Sequence, residues 1–294
     1  MFSAGCTYGL VVPLIKTAQY EGFSTGQIMV TQYAVASAVL LVACLLFSRI
    51  KVGLKDALKL LGLGVVSASV SFFYYQSLML LTPAMSLTLL FQFVWMGMVV
   101  QAVRTRTLPK PVTAITVLLV AVGAVLATGI LDEGVTLESL NALGILYGFL
   151  SAVSYTAFLV LSGHLATSLP AINRSLFITL GSVVSSFAIT PQYFAEPMVV
   201  IDPLLSLGIG VVGFCIPVFL IALSAPKLPT GLTTVMASSE LPSGVVSAAI
   251  FLSEPVSLTI GVGVVVVLLG IIASEMETLR MLRQKNGGDK PQLE

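Results

Sequence analysis

Residues 60–103 read LLGLGVVSASVSFFYYQSLMLLTPAMSLTLLFQFVWMGMVVQAV and contain no charged side chain. A helix needs about 20 mostly apolar residues to cross a bilayer, so this stretch is long enough for two crossings. Thr82-Pro83 near its centre supplies the break between them, because proline interrupts a helix. The stretch therefore predicts two consecutive transmembrane helices.

The whole chain has a similar composition. Of its 294 residues, 57% are hydrophobic and 9% are charged, whereas soluble domains carry about 25% charged residues. This excludes a soluble domain, a disordered chain and a basic surface for nucleic acid. Cys6, Cys44 and Cys215 lie far apart in apolar runs, which argues against disulfides and a zinc site. With His164 as the only histidine, we expect an all-α integral membrane protein that is not an enzyme and uses no metal or cofactor.

The uncharged intervals predict ten transmembrane helices when each is tested against the same length. The predicted spans are 2–20, 22–48, two within 60–103, 111–131, 139–163, 175–194, 203–225, 230–252 and 256–275. Two of them contain an ionisable residue, Lys16 in the first and Glu240 in the ninth. Nothing basic precedes Phe2, so we expect the first segment to be a retained helix and not a signal peptide.

The basic residues predict the orientation of these helices. An even number of helices places both termini on one side of the membrane. If that side is the cytoplasm, 13 of the 14 basic residues fall in cytoplasmic segments, and the remaining one is Lys16 within a span. The external loops then hold acids such as Glu133 and Asp202. This asymmetry follows the positive-inside rule and predicts a multi-pass protein of the cell (inner or plasma) membrane, with Arg106, Lys227 and both termini in the cytoplasm.

The two halves of the sequence align at a shift of about 146 residues. Leu81–Pro83 falls on Lys227–Pro229, and Leu108-Pro109 falls on Glu254-Pro255. Each half has five predicted helices, and an odd number inverts the second half relative to the first. Two inverted five-helix repeats are a recurrent architecture of secondary transporters, which bind substrate at the repeat interface near the midplane. The expected divisions are a first repeat over 1–131, a second over 141–279 and a cytoplasmic tail over 280–294.

Two motifs make this pattern recognisable. Tyr8-Gly9 is followed by Lys16 in the first helix, and Glu240–Pro242 is followed by Leu252–Pro255 in the ninth. Together with the helix count, they resemble the EamA-like branch of the drug/metabolite transporter superfamily. The resemblance implies a secondary active transporter that exports small organic metabolites, such as amino acids, by alternating access. It also implies a central site between the first, third, fourth, sixth, eighth and ninth helices.

Glu240 is the residue best suited to carry function. An acid at the centre of a span costs about 2.5–3.5 kcal/mol of insertion free energy, so it normally faces a cavity or a partner. It could couple protons to transport or bind a substrate ammonium group; alternatively, the protonated acid forms an interhelical hydrogen bond. Ser239 beside it can hydrogen-bond locally. Lys16 either snorkels towards the external headgroups or contacts Glu240 or an anion in the cavity.

Aromatic and amide side chains recur on the same helices. These candidates are Tyr8, Tyr75, Gln76, Gln92, Trp95 and Tyr155. Gln92 and Trp95 are three residues apart and share a helix face, and Trp95 falls at mid-span, away from the interfaces where tryptophan is usually found. Each residue taken singly could serve packing alone. As a set, they predict a midplane site for an amphipathic organic solute and not for a bare ion.

Two other interpretations of the sequence remain open. Within transport, the protein could be a uniporter or exchanger without proton coupling. Outside transport, a membrane scaffold would tolerate loss of Glu240 and Trp95. An intramembrane enzyme lacks support, because H-E-x-x-H does not occur and the G-x-S-x-G match at Gly22–Gly26 follows a predicted helix and not the strand that a nucleophile elbow needs. The expected partners are a small-molecule substrate, the lipid bilayer and, in the coupled case, protons, but no nucleic acid.

Overall fold

The architecture is all-helical. The computed structural model describes residues 1–48, 50–107, 111–133, 141–189, 202–253 and 255–287. Within these ranges every regular element is a helix and no strand occurs. Seven helical segments are both long enough and apolar enough to cross a bilayer. The chain is therefore an all-α, multi-pass membrane protein.

The helices follow the predicted intervals in order. In the first half they are α1 (Phe2–Leu10), α2 (Val12–Tyr20), α3 (Thr25–Phe47), α4 (Leu54–Leu78), α5 (Pro83–Leu90), α6 (Phe93–Thr105), α7 (Pro111–Ala127) and α8 (Ile130–Glu133). In the second half they are α9 (Ala142–Ser162), α10 (Ala171–Ile189), α11 (Pro203–Gly210), α12 (Ile216–Ser224), α13 (Thr230–Ala237), α14 (Glu240–Leu252) and α15 (Leu258–Gly287).

Several of the predicted spans differ from the observed helices. The first is divided at Val11 into α1 and α2, next to Pro13. The fifth ends early, because Gly129 has a φ of +76° and separates α7 from α8. The tenth runs on to Gly287, so that the beginning of the predicted tail is helical.

The π-helical turn Val211–Cys215 joins α11 to α12 just before Pro217. Proline has no N–H to offer the carbonyl four residues earlier, which here belongs to Gly213. That carbonyl accepts a hydrogen bond from Gln32 Nε2 of α3 at 3.0 Å instead. The irregular turn is therefore held by a neighbouring helix, as a membrane interior requires.

Arg174 changes one predicted boundary. The charge pattern counts it in a cytoplasmic segment, but the structure places it in the first turn of α10, with 1% of its surface exposed. Its Nη1 donates to the carbonyl of Ala222 at 2.5 Å, and its Nη2 donates to the carbonyl of Ser162. A cation is favourable at helix C-termini, so Arg174 joins the ends of α9 and α12 and allows α10 to begin at Ala171.

The bundle packs around α4, which contacts α9 and α10. α3 packs against α10 and α11, α7 against α15, α6 against α13, and α1 against α14. The pairs α6–α13 and α1–α14 involve two spans that are interrupted, one between α5 and α6 and the other between α13 and α14. These interruptions are near the middle of their spans and frame the site described next.

Candidate functional site

A cavity of about 310 Å³ lies inside the bundle. Its walls come from α1, α2, α3, α4, α5, α9, α14 and the π-helical turn. Five of the predicted site residues line it: Tyr8, Lys16, Tyr75, Tyr155 and Glu240. The cavity thus brings together side chains from both halves of the sequence that are up to 232 residues apart (240 − 8).

Glu240 is the first residue of α14, immediately after the interruption that ends α13. One of its carboxylate oxygens accepts a hydrogen bond from the Tyr155 hydroxyl at 3.2 Å. The backbone stays in the right-handed helical region through Ser238 (φ −64°, ψ −7°) and Ser239 (φ −60°, ψ −13°). The helix is therefore tightened at this point, and it presents an acid to the cavity at mid-span.

Ser239 positions Glu240 and does not line the cavity. The Ser239 hydroxyl is within reach of two carbonyls, Met236 O in its own helix and Phe2 O in α1, each at 2.8 Å. Ser238 donates to Val235 O at 2.5 Å. Both serines therefore bond to backbone carbonyls around the interruption, as predicted for Ser239, which also connects it to α1.

Further serines extend the contact between α14 and α1. Ser243 donates to Cys6 O at 2.6 Å, and Ser247 donates to Gly9 O at 3.0 Å. Residues four apart share a helix face, so Ser239, Ser243 and Ser247 form a row along α14, which we call the serine row. It replaces apolar packing with hydrogen bonds to the backbone of α1.

Two glycines allow α1 to come this close. A Cβ on Gly5 would meet Ala237 O at 2.6 Å and would also collide with Ser239 Oγ. A Cβ on Gly9 would meet Gly244 N at 2.5 Å and would collide with Glu240 O. Because the obstacles at Gly9 are backbone atoms, a side chain there would push α1 away from the site.

Aromatic rings form much of the wall around the acid. The Tyr155 ring meets Phe93 edge-on, with the ring centroids 4.6 Å apart. Tyr33, behind the wall, packs its ring 4.5 Å from that of Phe214 and shares a hydrogen bond of 2.8 Å with Ser71. Such rings offer an apolar body and a polar edge, which suits an amphipathic solute.

Lys16 and Gln19 line the cavity and lie in the second half of α2. Leu78, the last residue of α4, and Pro83, the first of α5, line it too. Glu240 lies near the middle of its span. The lining therefore includes an acid at mid-span and a cation nearer to the helix ends.

Gln92 and Trp95 lie outside the cavity lining. Trp95 Nε1 donates to Gln92 Oε1 at 2.8 Å, and Gln92 Nε2 donates to Thr88 O at 3.0 Å. Trp95 borders a second recess, a groove between α6 and α9. Gln76 also lies outside the residues that line the cavity.

Sequence reasoning missed Gln19, Gln32 and Tyr74, which line the cavity. A signal for Gln32 was present, because it is an amide within an otherwise apolar span. Tyr74 stands beside Tyr75, and their relative orientation depends on helix rotation that the sequence alone does not give. Among the described residues, no group of three His, Cys, Asp or Glu side chains could hold a metal ion.

No protein-family model and no curated protein matches this sequence. Among solved structures, 28 chains match it. One of them, described only as "Crystal structure of protein", has a TM-score of 0.75, 15% sequence identity, and a match that covers 93% of this chain and 97% of its own. At that identity the likeness concerns the fold alone.

Proposed function

We propose that this protein is a secondary active transporter of the EamA-like type in the drug/metabolite transporter superfamily. It moves small amphipathic organic solutes across the cytoplasmic membrane by alternating access, with both termini in the cytoplasm. The observation that carries the proposal is an acid, Glu240, at the interruption of a membrane-spanning helix and on the wall of an internal cavity. Intramembrane acids mark solute or ion pathways.

The interrupted helices support a duplicated architecture. α5 and α13 each have 8 residues, and α6 and α14 each have 13. Both long halves end in a left-handed residue, Arg106 with φ 53° and Ser253 with φ 54°. These residues are 147 positions apart (253 − 106), close to the sequence shift. Of the aligned turn prolines, Pro83 is the first residue of α5 and Pro229 directly precedes α13. Leu108-Pro109 and Glu254 lie outside the described residues.

Helix packing supports two five-helix units of the same structure, because contacts recur when each helix of one half is replaced by its counterpart in the other half. Exchanging each helix with its counterpart turns the α4–α9 contact into α12–α1, and the α4–α10 contact into α11–α3. It also turns α1–α14 into α9–α6. All six contacts occur. An odd number of helices in each unit makes the proposed repeats inverted, giving ten transmembrane helices in total.

Some contacts break this exchange, α6–α13 and α10–α12 among them, and the first indicates a conformational state. α6 packs on α13, where Gln101 Oε1 accepts from Gly231 N at 2.6 Å and Thr234 Oγ1 donates to Val94 O at 3.2 Å. The counterpart would be α5 on α14, but the cavity lies there, with Leu87 on its wall. In the proposed topology this is an outward-facing state. Alternating access would close α5 on α14 and separate α6 from α13.

The lining indicates the kind of solute. The Glu240 carboxylate suits an ammonium group, Lys16 suits an anionic group nearer to the mouth, and tyrosine rings between them suit an apolar body. A zwitterionic or cationic amphipathic solute meets all three. An amino acid is one example of this class.

Counterflow in proteoliposomes tests the proposal. Proteoliposomes that contain the purified protein are loaded with unlabelled amino acids, amines, nucleosides or sugar phosphates. Uptake of the labelled solute is then measured with and without a pH gradient. We expect amine-containing amphipathic solutes to be exchanged and Glu240→Gln to lose gradient-driven uptake. Glu21→Gln, which removes an exposed acid outside the cavity, is the matched control. Exchange that ignores the pH gradient would favour the uncoupled exchanger, and absence of flux for every class would favour a scaffold.

Orientation needs a separate experiment. Single cysteines are introduced as Glu21→Cys and Arg106→Cys, both at exposed positions, in a background with the three native cysteines changed to alanine. An impermeant thiol reagent added to intact cells should label the first and leave the second unlabelled. Labelling at position 106 would overturn the cytoplasmic placement.

A further inference from the structure

The groove between α6 and α9 is a second recess, separate from the cavity. It has a volume of about 440 Å³, and its lining includes Trp95, Val99 and Val100 of α6 with Val153, Ala157 and Val160 of α9. Val99 and Val153 are each 44% exposed, so the groove opens on the outer surface of the bundle. Within a membrane, that surface is in contact with lipid.

The polar groups along the groove are already hydrogen-bonded within the protein, since Trp95 Nε1 donates to Gln92 Oε1. The one hydroxyl-bearing lining residue of the groove is Thr156, whose Oγ1 donates to Ala152 O at 2.9 Å within its own helix. A recess lined in this way matches a hydrocarbon chain and not a polar solute. From Val153 to Leu161 it extends about 12 Å along the helix axis, which is close to the roughly 15 Å hydrocarbon depth of one leaflet.

A charged side chain lies at one end of the groove. Arg104 is four residues beyond Val100 on α6, and His164 is four residues beyond Val160 on the chain that leaves α9. Both therefore lie about one helical turn past the groove, on the same sides as its lining residues. Arg104 Nη1 donates to His164 Nε2 at 2.6 Å, and His164 Nδ1 donates to Val160 O at 2.6 Å. The histidine thereby holds an exposed guanidinium at the end of an apolar groove.

We propose that this groove binds an anionic phospholipid, with one acyl chain between α6 and α9 and the phosphate of the headgroup at Arg104. The guanidinium geometry suits phosphate oxygens, and basic pockets between transmembrane helices bind anionic headgroups. The site is independent of the transported solute. Because α6 separates from α13 in the proposed alternating access, a bound lipid would also bias α6 towards the state seen here.

Lipid retention in detergent tests this site directly. Native mass spectrometry measures binding of phosphatidylglycerol and of phosphatidylcholine with matched acyl chains to the purified full-length protein. We expect preferential retention of phosphatidylglycerol, and Arg104→Gln should weaken it about fivefold, the factor for one cation near the headgroups. Lys55→Gln, which removes an exposed cation from α4, should retain the preference.

A second pair of variants tests the acyl chain. Val153→Phe fills the groove, whereas Val122→Phe adds the same bulk at a position 48% exposed on α7. We expect the first to reduce retention of both lipids and the second to leave it unchanged. His164→Gln, which removes the support of Arg104, gives an independent check if Arg104→Gln misfolds. Equal retention of the two lipids by the unmodified protein, or full competition by inorganic phosphate alone, would overturn the proposal.

Discussion

At the interruption between α5 and α6, the polar side chains bond to one another. Trp95 donates to Gln92, and Gln92 donates to a carbonyl one turn earlier. At the interruption between α13 and α14, Ser239 bonds to backbone carbonyls, while Glu240 lines the cavity and accepts from Tyr155. The two interruptions share helix lengths and a left-handed end, so the backbone alone does not make a site. The chemistry depends on which side chain begins the second half-helix and which surface it faces.

Moving the acid from one interruption to the other gives the largest expected effect. The double variant Glu240→Gln, Gln92→Glu keeps the number of acids and amides but places the acid outside the cavity lining. We expect gradient-driven uptake to stay roughly tenfold or more below that of the unmodified protein. The measurement is flux in proteoliposomes, after size-exclusion and melting profiles show that the variant is folded. Restored uptake would mean that the two interruptions are interchangeable.

The second-largest effect is expected when the contact between α1 and α14 is widened, which should lower the free energy of unfolding. Gly9→Ala introduces a Cβ against backbone atoms of α14, and overpacking of this kind costs about 1–3 kcal/mol. The measurement is thermal unfolding in detergent. Gly62→Ala on α4, where a Cβ would meet nothing within 4 Å, is the control and should not lower the melting temperature. Equal melting of both variants would contradict the close approach of α1.

Removing the hydroxyl of Ser239 should have a smaller effect. Ser239→Ala loses a hydrogen bond to Phe2 O in another helix, which is expected to cost about 1 kcal/mol. Ser69→Ala is the matched control, because Ser69 bonds only to Val66 O in its own helix. We expect the first variant to lower the melting temperature and the second to leave it nearly unchanged. A larger drop in melting temperature for Ser69→Ala than for Ser239→Ala would show that the serine row does not stabilise the protein.

The smallest effect is expected at the other interruption. Trp95→Phe removes the donor to Gln92 but keeps an aromatic ring at the groove, so unfolding free energy should change by less than about 1 kcal/mol. Because Trp95 lies outside the cavity lining, solute uptake should change less than twofold, roughly the scatter of such assays. A tenfold loss would show that the α5–α6 interruption also takes part in transport.

The helical intervals could be predicted because uncharged length is decisive in a bilayer. Thr82-Pro83 likewise gave a correct helix end, since α4 ends at Leu78 and α5 begins at Pro83. The interruption at Ser238-Ser239 has a signal in the sequence, because Pro242 has no N–H to donate to Ser238 O four residues earlier. No proline stands at the corresponding place after Phe91-Gln92. The contacts that fix such an interruption, as of Ser239 with Phe2 237 residues away, could not be predicted.

The candidate site was predictable in part for the same reason. Glu240 and Lys16 stand out because charges are costly in an apolar span, and both line the cavity. Trp95 was expected there because it is at mid-span, but depth in the membrane does not determine which way a helix face points. Arg174 was counted as a loop residue because the sequence does not show the two helix ends that solvate it.

The pairing of Arg174 with two helix ends has a consequence for biogenesis. Its carbonyl partner Ser162 precedes it on the ribosome, whereas Ala222 is synthesised 48 residues later. Until α12 has entered the bilayer, the guanidinium lacks one of these two ligands and retains its hydration at the membrane surface. The Arg174 guanidinium can therefore have both of these carbonyl partners only after α12 is in place.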